Sequence, residues 1–190
     1  LGIHTITYTQ DGYPYISNFS FNETVDNDNF DLLQDDYNNI LFANRKGILT
    51  FNSRSWDFLP LAYFPLCLEK SPFDGAIYTG CQNGYGILNM DETGKYNYLS
   101  LNNIDSTGEI SSISVTSENI YFIGQNRIFQ TSGKDDAKNK LWEFAFENLV
   151  TGSYVFRETF YFSILDRGLY KAVNDTFELV TANSFTEKMQ

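Results

Sequence analysis

The chain has 190 residues, of which 42% are hydrophobic and 17% aromatic, and a formal net charge of −11. Its 13 Lys and Arg are scattered among 24 Asp and Glu, so there is no basic stripe to neutralise phosphates, and no nucleic-acid partner is expected. No apolar run approaches the ~20 residues of a membrane span, and no apolar 3.6-residue period persists for three turns, so the chain is expected to be all-β with no membrane insertion of its own.

Residues 1–28 form a lead-in. Ile3 to Thr9 alternates like a strand, Asp11-Gly12-Tyr13-Pro14 is a turn signal, and Pro14 to Phe21 is strand-like again.

From residue 29 one phrase recurs four times, at about 29–61, 64–101, 109–146 and 151–181. Each unit opens with a weakly patterned inner strand: Phe30 to Gln34, Leu66 to Lys70, Ile110 to Val115 and Ser153 to Phe156. A near-continuous apolar second strand follows, Ile40 to Ala43, Ile77 to Gly80, Ile120 to Ile123 and Phe160 to Ser163. The third strand is led by Gly47, Gly86, Arg127 or Gly168, and the fourth opens on Trp56, Tyr96, Trp142 or Phe177. A period of about 40 residues filled by short strands is the pattern of β-propeller blades. Continuous apolar second strands suit burial on both faces, and alternating outer strands suit half-exposure. The fold predicted is four four-stranded antiparallel blades, either a small closed propeller, whose last blade the strand-like lead-in would complete, or part of a larger one. The segment Asp135 to Lys140, the best helical candidate, is read as a hairpin loop, and the tail 181–190 as the start of a further inner strand. Blade faces left unpaired in such a piece invite self-association.

The two cysteines, Cys67 and Cys81, fall on the first strand and just after the second strand of unit two. A disulfide is possible in an oxidising compartment; two buried thiols are the favoured reading, because adjacent ladder strands are a poor geometry for a bridge. The only histidine is His4, too few for a zinc site and poorly placed for a nucleophile triad. The run Asp26 to Asp31 has the composition of a calcium loop but lacks its glycine and its distant glutamate. Neither a metal nor another cofactor is expected, and no catalytic residue stands out. A carbohydrate-active propeller enzyme working through paired carboxylates stays open as an alternative, as does a protein-interaction scaffold.

Stretches of the units resemble a known family. NFDLLQDDYNNILFANRKGILTFNSRSWDFLPL (29–61), IYTGCQNGYGIL (77–88) and GLYKAVNDTFELV (168–180) resemble the two-component regulator propeller repeat, and residues 12–35 are similar to the lead-in before its first blade. Unit three departs, with Arg127 in place of the leading glycine. The resemblance implies a non-catalytic, periplasmic sensor region of a Bacteroidetes-type regulator. Its kinase or helix-turn-helix output would lie on other domains.

Propeller topology adds a candidate site. The loop between the second and third strands opens on one face of the disc in every unit, and here it carries Asn44 and Arg45, then Gln82, Asn83 and Tyr85, then Gln125 and Asn126, and finally Arg167. Amides and guanidiniums make directional hydrogen bonds, and Tyr85 would offer a ring face, so a small-molecule or glycan ligand is the expected partner. Asn, Asp and Gly are also what tight hairpins require.

Overall fold

The structure is a computed structural model that describes residues 2–12, 14–21, 25–101, 107–132, 142–174 and 176–182. The segment 135–140 and the tail beyond residue 182 therefore lie outside the described residues. Every described regular element is a strand. The four units become four antiparallel four-stranded sheets, as the repeat predicts, and a two-stranded sheet precedes them.

The preceding hairpin is β1 (Gly2–Tyr8) paired with β2 (Pro14–Ser20). Blade one is β3 (Asn29–Gln34), β4 (Ile40–Asn44), β5 (Gly47–Phe51) and β6 (Trp56–Pro60). Blade two is β7 (Pro65–Lys70), β8 (Ile77–Cys81), β9 (Gly84–Met90) and β10 (Tyr96–Ser100). Blade three is β11 (Ile110–Val115), β12 (Ile120–Gly124), β13 (Arg127–Thr131) and β14 (Trp142–Ala145). Blade four is β15 (Val150–Phe156), β16 (Thr159–Ile164), β17 (Gly168–Val173) and β18 (Thr176–Ala182).

In every blade each strand pairs with the next in sequence, so no crossover occurs within a sheet. Each inner strand carries a bulge against its second strand at the same place, at residues 29–31, 65–67, 110–112 and 150–152. A bulge bends the strand and strengthens its twist, as inner strands converging on one axis require.

Blades stack face to face in chain order. Leu41, Ala43 and Ile48 of blade one meet Leu68, Ile77 and Leu88 of blade two. Tyr78 and Tyr85 meet Ile113 and Phe122 at the next boundary, and Tyr121 and Ile128 meet Phe160 and Phe162 at the last. Aromatic stacking reinforces two of these boundaries: Tyr85 lies 4.2 Å from Phe122, and Tyr121 lies 4.0 Å from Phe160 at 10°. The second strands report the stacking directly. β8 and β12, with a blade on either side, are buried at every residue; β4 and β16, at the ends of the stack, alternate.

The inner strands pack in succession, β3 on β7, β7 on β11 and β11 on β15, and no comparable packing joins β15 to β3. The four blades make an open arc. The lead-in does not complete the last blade: β1 and β2 pair only with each other. Instead Phe19 and Phe21 lie against Phe51 and Trp56, covering the face of blade one that turns away from blade two. Both cysteines are free thiols buried in blade two. Burial pushes Cys67 up to about 12 and Cys81 up to about 11, so both stay protonated at neutral pH.

Candidate functional site

The hairpins joining second to third strands do share one face of the arc. They are tight, two residues long at Arg45-Lys46, Gln82-Asn83 and Gln125-Asn126 and three at Leu165-Asp166-Arg167. Backbone bonds tie them to the segments that lead into each blade. Arg45 N donates to Asp28 O at 3.0 Å, Gln82 N to Phe64 O at 3.0 Å and Leu165 N to Leu149 O at 2.8 Å. The hairpins and these segments therefore form one surface.

The eight expected residues divide into three groups. Asn44 and Tyr85 are not on this surface. Asn44 is fully buried, and its amide donates to Asp26 O at 2.7 Å, Asp28 O at 3.2 Å and Asn29 Oδ1 at 2.9 Å while its Oδ1 accepts from Lys46 N at 3.1 Å. It locks the end of the lead-in to the hairpin and has no donor left for a ligand. Tyr85 is fully buried between blades two and three, stacked on Phe122, and offers no ring face to solvent. Aligning Gly86 with Gly47 places Tyr85 in the loop, yet the hairpin closes two residues earlier: Cys81 pairs with Gly84 as Asn44 pairs with Gly47. Gly84, at φ 134°, takes the turn position, and Tyr85 is already inside β9.

Arg45, Asn83 and Arg167 are on the surface but carry local partners. Arg45 donates from Nη2 and Nε to Asp28 Oδ2 at 2.7 and 3.0 Å and stands 3.8 Å from Asp26. Its guanidinium also lies 5.6 and 5.5 Å from the Phe30 and Phe64 rings, which stack on each other at 5.4 Å. The acidic run thus faces an arginine, and Asp31 accepts Leu68 N at 2.8 Å across the first blade boundary. Among the described residues no cluster of His, Cys, Asp or Glu could hold a metal ion. Asn83 Oδ1 accepts from Thr107 N at 3.0 Å and Gly108 N at 3.3 Å, and Arg167 donates to Glu147 Oε2 at 3.1 Å.

Gln82, Gln125 and Asn126 are exposed, and of these Asn126 has a local partner, its Nδ2 donating to Phe146 O at 3.4 Å. Gln125 and Asn126 line a cleft of about 360 Å³ with Thr107, Gly108, Glu109 and Arg127. Because Asn83 holds residues 107 and 108, the structure brings Asn83, Gln125 and Asn126 together around one opening. Arg45 and Arg167 have their own settings on blades one and four.

Larger openings lie on the opposite face, where first strands turn into second strands and third into fourth. One of about 460 Å³ sits between blades one and two, with Tyr37, Asn52, Trp56, Lys95 and Tyr96 in its walls. Another of about 570 Å³ sits between blades three and four, where Glu158 Oε2 accepts Ser117 N at 2.8 Å across the boundary. Hairpin logic confined to one face misses both. For the first, the signal present in the sequence is the aromatic that opens the outer strand, Trp56 in blade one and Tyr96 in blade two.

The fold defines a propeller-type all-β repeat protein. Among solved structures, the chain is similar to the extracellular domain of the hybrid two-component system BT4673 of B. thetaiotaomicron, at 15% identity and a TM-score of 0.60 over 95% of this chain and 23% of that one. A second structure of the BT4673 extracellular domain, described there as a one-component system, matches 80% of this chain and 21% of that one, with 15% identity and a TM-score of 0.59. Sqt1 of Saccharomyces cerevisiae matches 94% of this chain and 54% of that one, at 14% identity and a TM-score of 0.66. The chain spans about a fifth of the BT4673 structures it matches. No family model and no curated protein matches it.

Proposed function

We propose that this chain is a non-catalytic, ligand-sensing part of an extracytoplasmic propeller, periplasmic in location, in a two-component type of regulator. The observation that carries this reading is the structural likeness to the BT4673 extracellular domain across 95% of the chain. The repeat motifs of units one, two and four point the same way. The site proposed is the hairpin face, reduced to the groups that remain on it: Gln82, Asn83, Gln125 and Asn126 around the opening at residues 107–109, with Arg45 and Arg167 flanking. Its ligand is a small hydroxyl-rich molecule, a saccharide by preference, because exposed amides both donate and accept. The chain's negative charge disfavours anions.

Calorimetric titration of a glycan panel tests this, on the full ectodomain as well as on this chain. Micromolar affinity, about −8 kcal/mol, is expected. Gln82→Ala and Gln125→Ala are each expected to weaken binding about tenfold, roughly 1.4 kcal/mol, at an unchanged melting temperature. A ligand bound equally well by both variants and by Arg45→Ala would place the site elsewhere.

A further inference from the structure

We propose that the cleft between blades one and two, on the face away from the hairpins, is a second binding site, built for an uncharged polyhydroxylated ring of mono- or disaccharide size. Its volume of about 460 Å³ lies within the range of small-molecule sites.

Three aromatic side chains contribute to the walls, and two of them, Trp56 and Tyr96, are held in place. Trp56 is half-buried and braced from behind by Phe51 at 4.9 Å and by Phe21 and Phe42, each at 5.8 Å. Tyr96 comes from the neighbouring blade, and its hydroxyl donates to Asp35 Oδ2 at 2.6 Å. Tyr37 is 73% exposed and supplies an open ring. The Tyr96 hydroxyl and the Tyr37 backbone are both tied to one buried group. Asp35 is 6% exposed, and besides Tyr96 it accepts from Tyr37 N at 2.8 Å, Asn39 N at 2.7 Å and Asn39 Nδ2 at 2.6 Å. A buried carboxylate satisfied by three residues of one cleft fixes that cleft before any ligand arrives, which lowers the ordering cost of binding. Burial, followed by the Asp35 hydrogen bond, pushes the Tyr96 phenol above its usual range, so the tie persists at physiological pH.

The polar groups select the ligand class. Asn52 Oδ1 is committed to Arg54 N, Ser55 N and Ser55 Oγ, which leaves its Nδ2 as donor to the cleft. Thr50 and Ser55 add hydroxyls to the lining. The charges in the walls are one Lys and one Asp, and they face each other, with Lys95 Nζ 3.7 Å from Asp57 Oδ2. An anionic ligand would have to displace Asp57 from Lys95. A cationic ligand would meet the Lys95 ammonium. An uncharged ring with hydroxyls at its edge and C–H groups on its faces matches aromatic planes beside amide and hydroxyl groups.

The test is fluorescence titration in a Trp142→Phe background, which leaves Trp56 as the sole tryptophan, with glucose, galactose, mannose, xylose, maltose and cellobiose as probes. Glucuronate and choline serve as the charged comparisons. At least one neutral sugar is expected to shift Trp56 emission saturably below about 10 mM. Tyr37→Ala and Asn52→Ala should each weaken that sugar at least tenfold. Gln125→Ala, on the other face, should leave it unchanged, which separates this site from the hairpin site. Three results would each overturn the proposal: no response to any neutral sugar up to that concentration, tighter binding of choline or glucuronate, or unaltered affinity in both cleft variants at a melting temperature equal to the parent's.

Discussion

Asn44 shows how far a residue's role can lie from its local pattern. It sits at the mouth of a hairpin, as a ligand-binding amide would, and its three acceptors lie 15 to 18 residues earlier in the chain. No spacing signal links an asparagine to backbone carbonyls of an irregular lead-in, so this lock was not legible in the sequence. Asn44→Ala removes a fully buried amide and takes the donor from Asp26 O and Asn29 Oδ1, and is expected to cost about 1–3 kcal/mol by urea denaturation. A surface ligand residue would cost almost nothing. The cysteines were legible as buried thiols, because a short apolar strand pair offers them little else. Their folded pKa values stand above the ordinary 9.0, so between pH 9 and about 11–12 the unfolded chain loses protons that the folded chain keeps. Stability is then expected to fall as pH rises through that window, with its full value present below pH 9. Buried tyrosines such as Tyr78, raised to about 12, extend the fall. The urea midpoint of Cys67→Ala/Cys81→Ala should decline less steeply over the same range.

At the level of the strand, the repeat was legible almost to the residue, because each blade position imposes its own burial. Blade two is the exception, and its reason is periodicity. Ile77 pairs with Leu88, yet the outer hairpin continues until Met90 pairs with Tyr96, whereas in blade one Phe51 pairs with both Ile40 and Trp56. The outer ladder of blade two is thus displaced by two residues along β9. A shift of two returns every side chain to the same face, so the apolar pattern is blind to it. The leading glycines show the same contrast. Gly47 and Gly168 have φ of 148° and 126°, and a Cβ on either would collide with the carbonyl of Leu59 or Thr181. Arg127 opens the equivalent strand of blade three without a positive φ, which is how an arginine stands there. Gly47→Ala is therefore expected to cost roughly 2–4 kcal/mol in thermal or chemical denaturation, by backbone strain and the close carbonyl together. An unchanged midpoint would contradict the turn geometry.

The molecule as a whole has two different ends. At blade one, the β1–β2 hairpin lays Phe19 and Phe21 over the outward face. At blade four nothing among the described residues covers the corresponding far face. Tyr154 and Phe156 alternate on β15 and are 49% and 55% exposed, and Tyr154 stacks on Tyr161 at 5.2 Å and 8°. By register, Tyr154 and Tyr161 stand where Leu33 and Leu41 of blade one pack against blade two. Blade four thus presents the surface that each earlier blade uses to hold its successor. In a longer propeller a further blade would occupy it. For this chain alone, a second copy is the expected occupant. With the other end covered by Phe19 and Phe21, this is the one uncovered blade face among the described residues, so association should close as a dimer about a two-fold axis and not extend into a filament. Sedimentation velocity over a concentration series is expected to show a monomer–dimer equilibrium. Tyr154→Lys/Phe156→Lys should shift it to monomer with little change in melting temperature, since both side chains are already half in water. A parent chain that stays monomeric throughout, or a double variant that still dimerises, would show that the open blade face is not the seat of self-association.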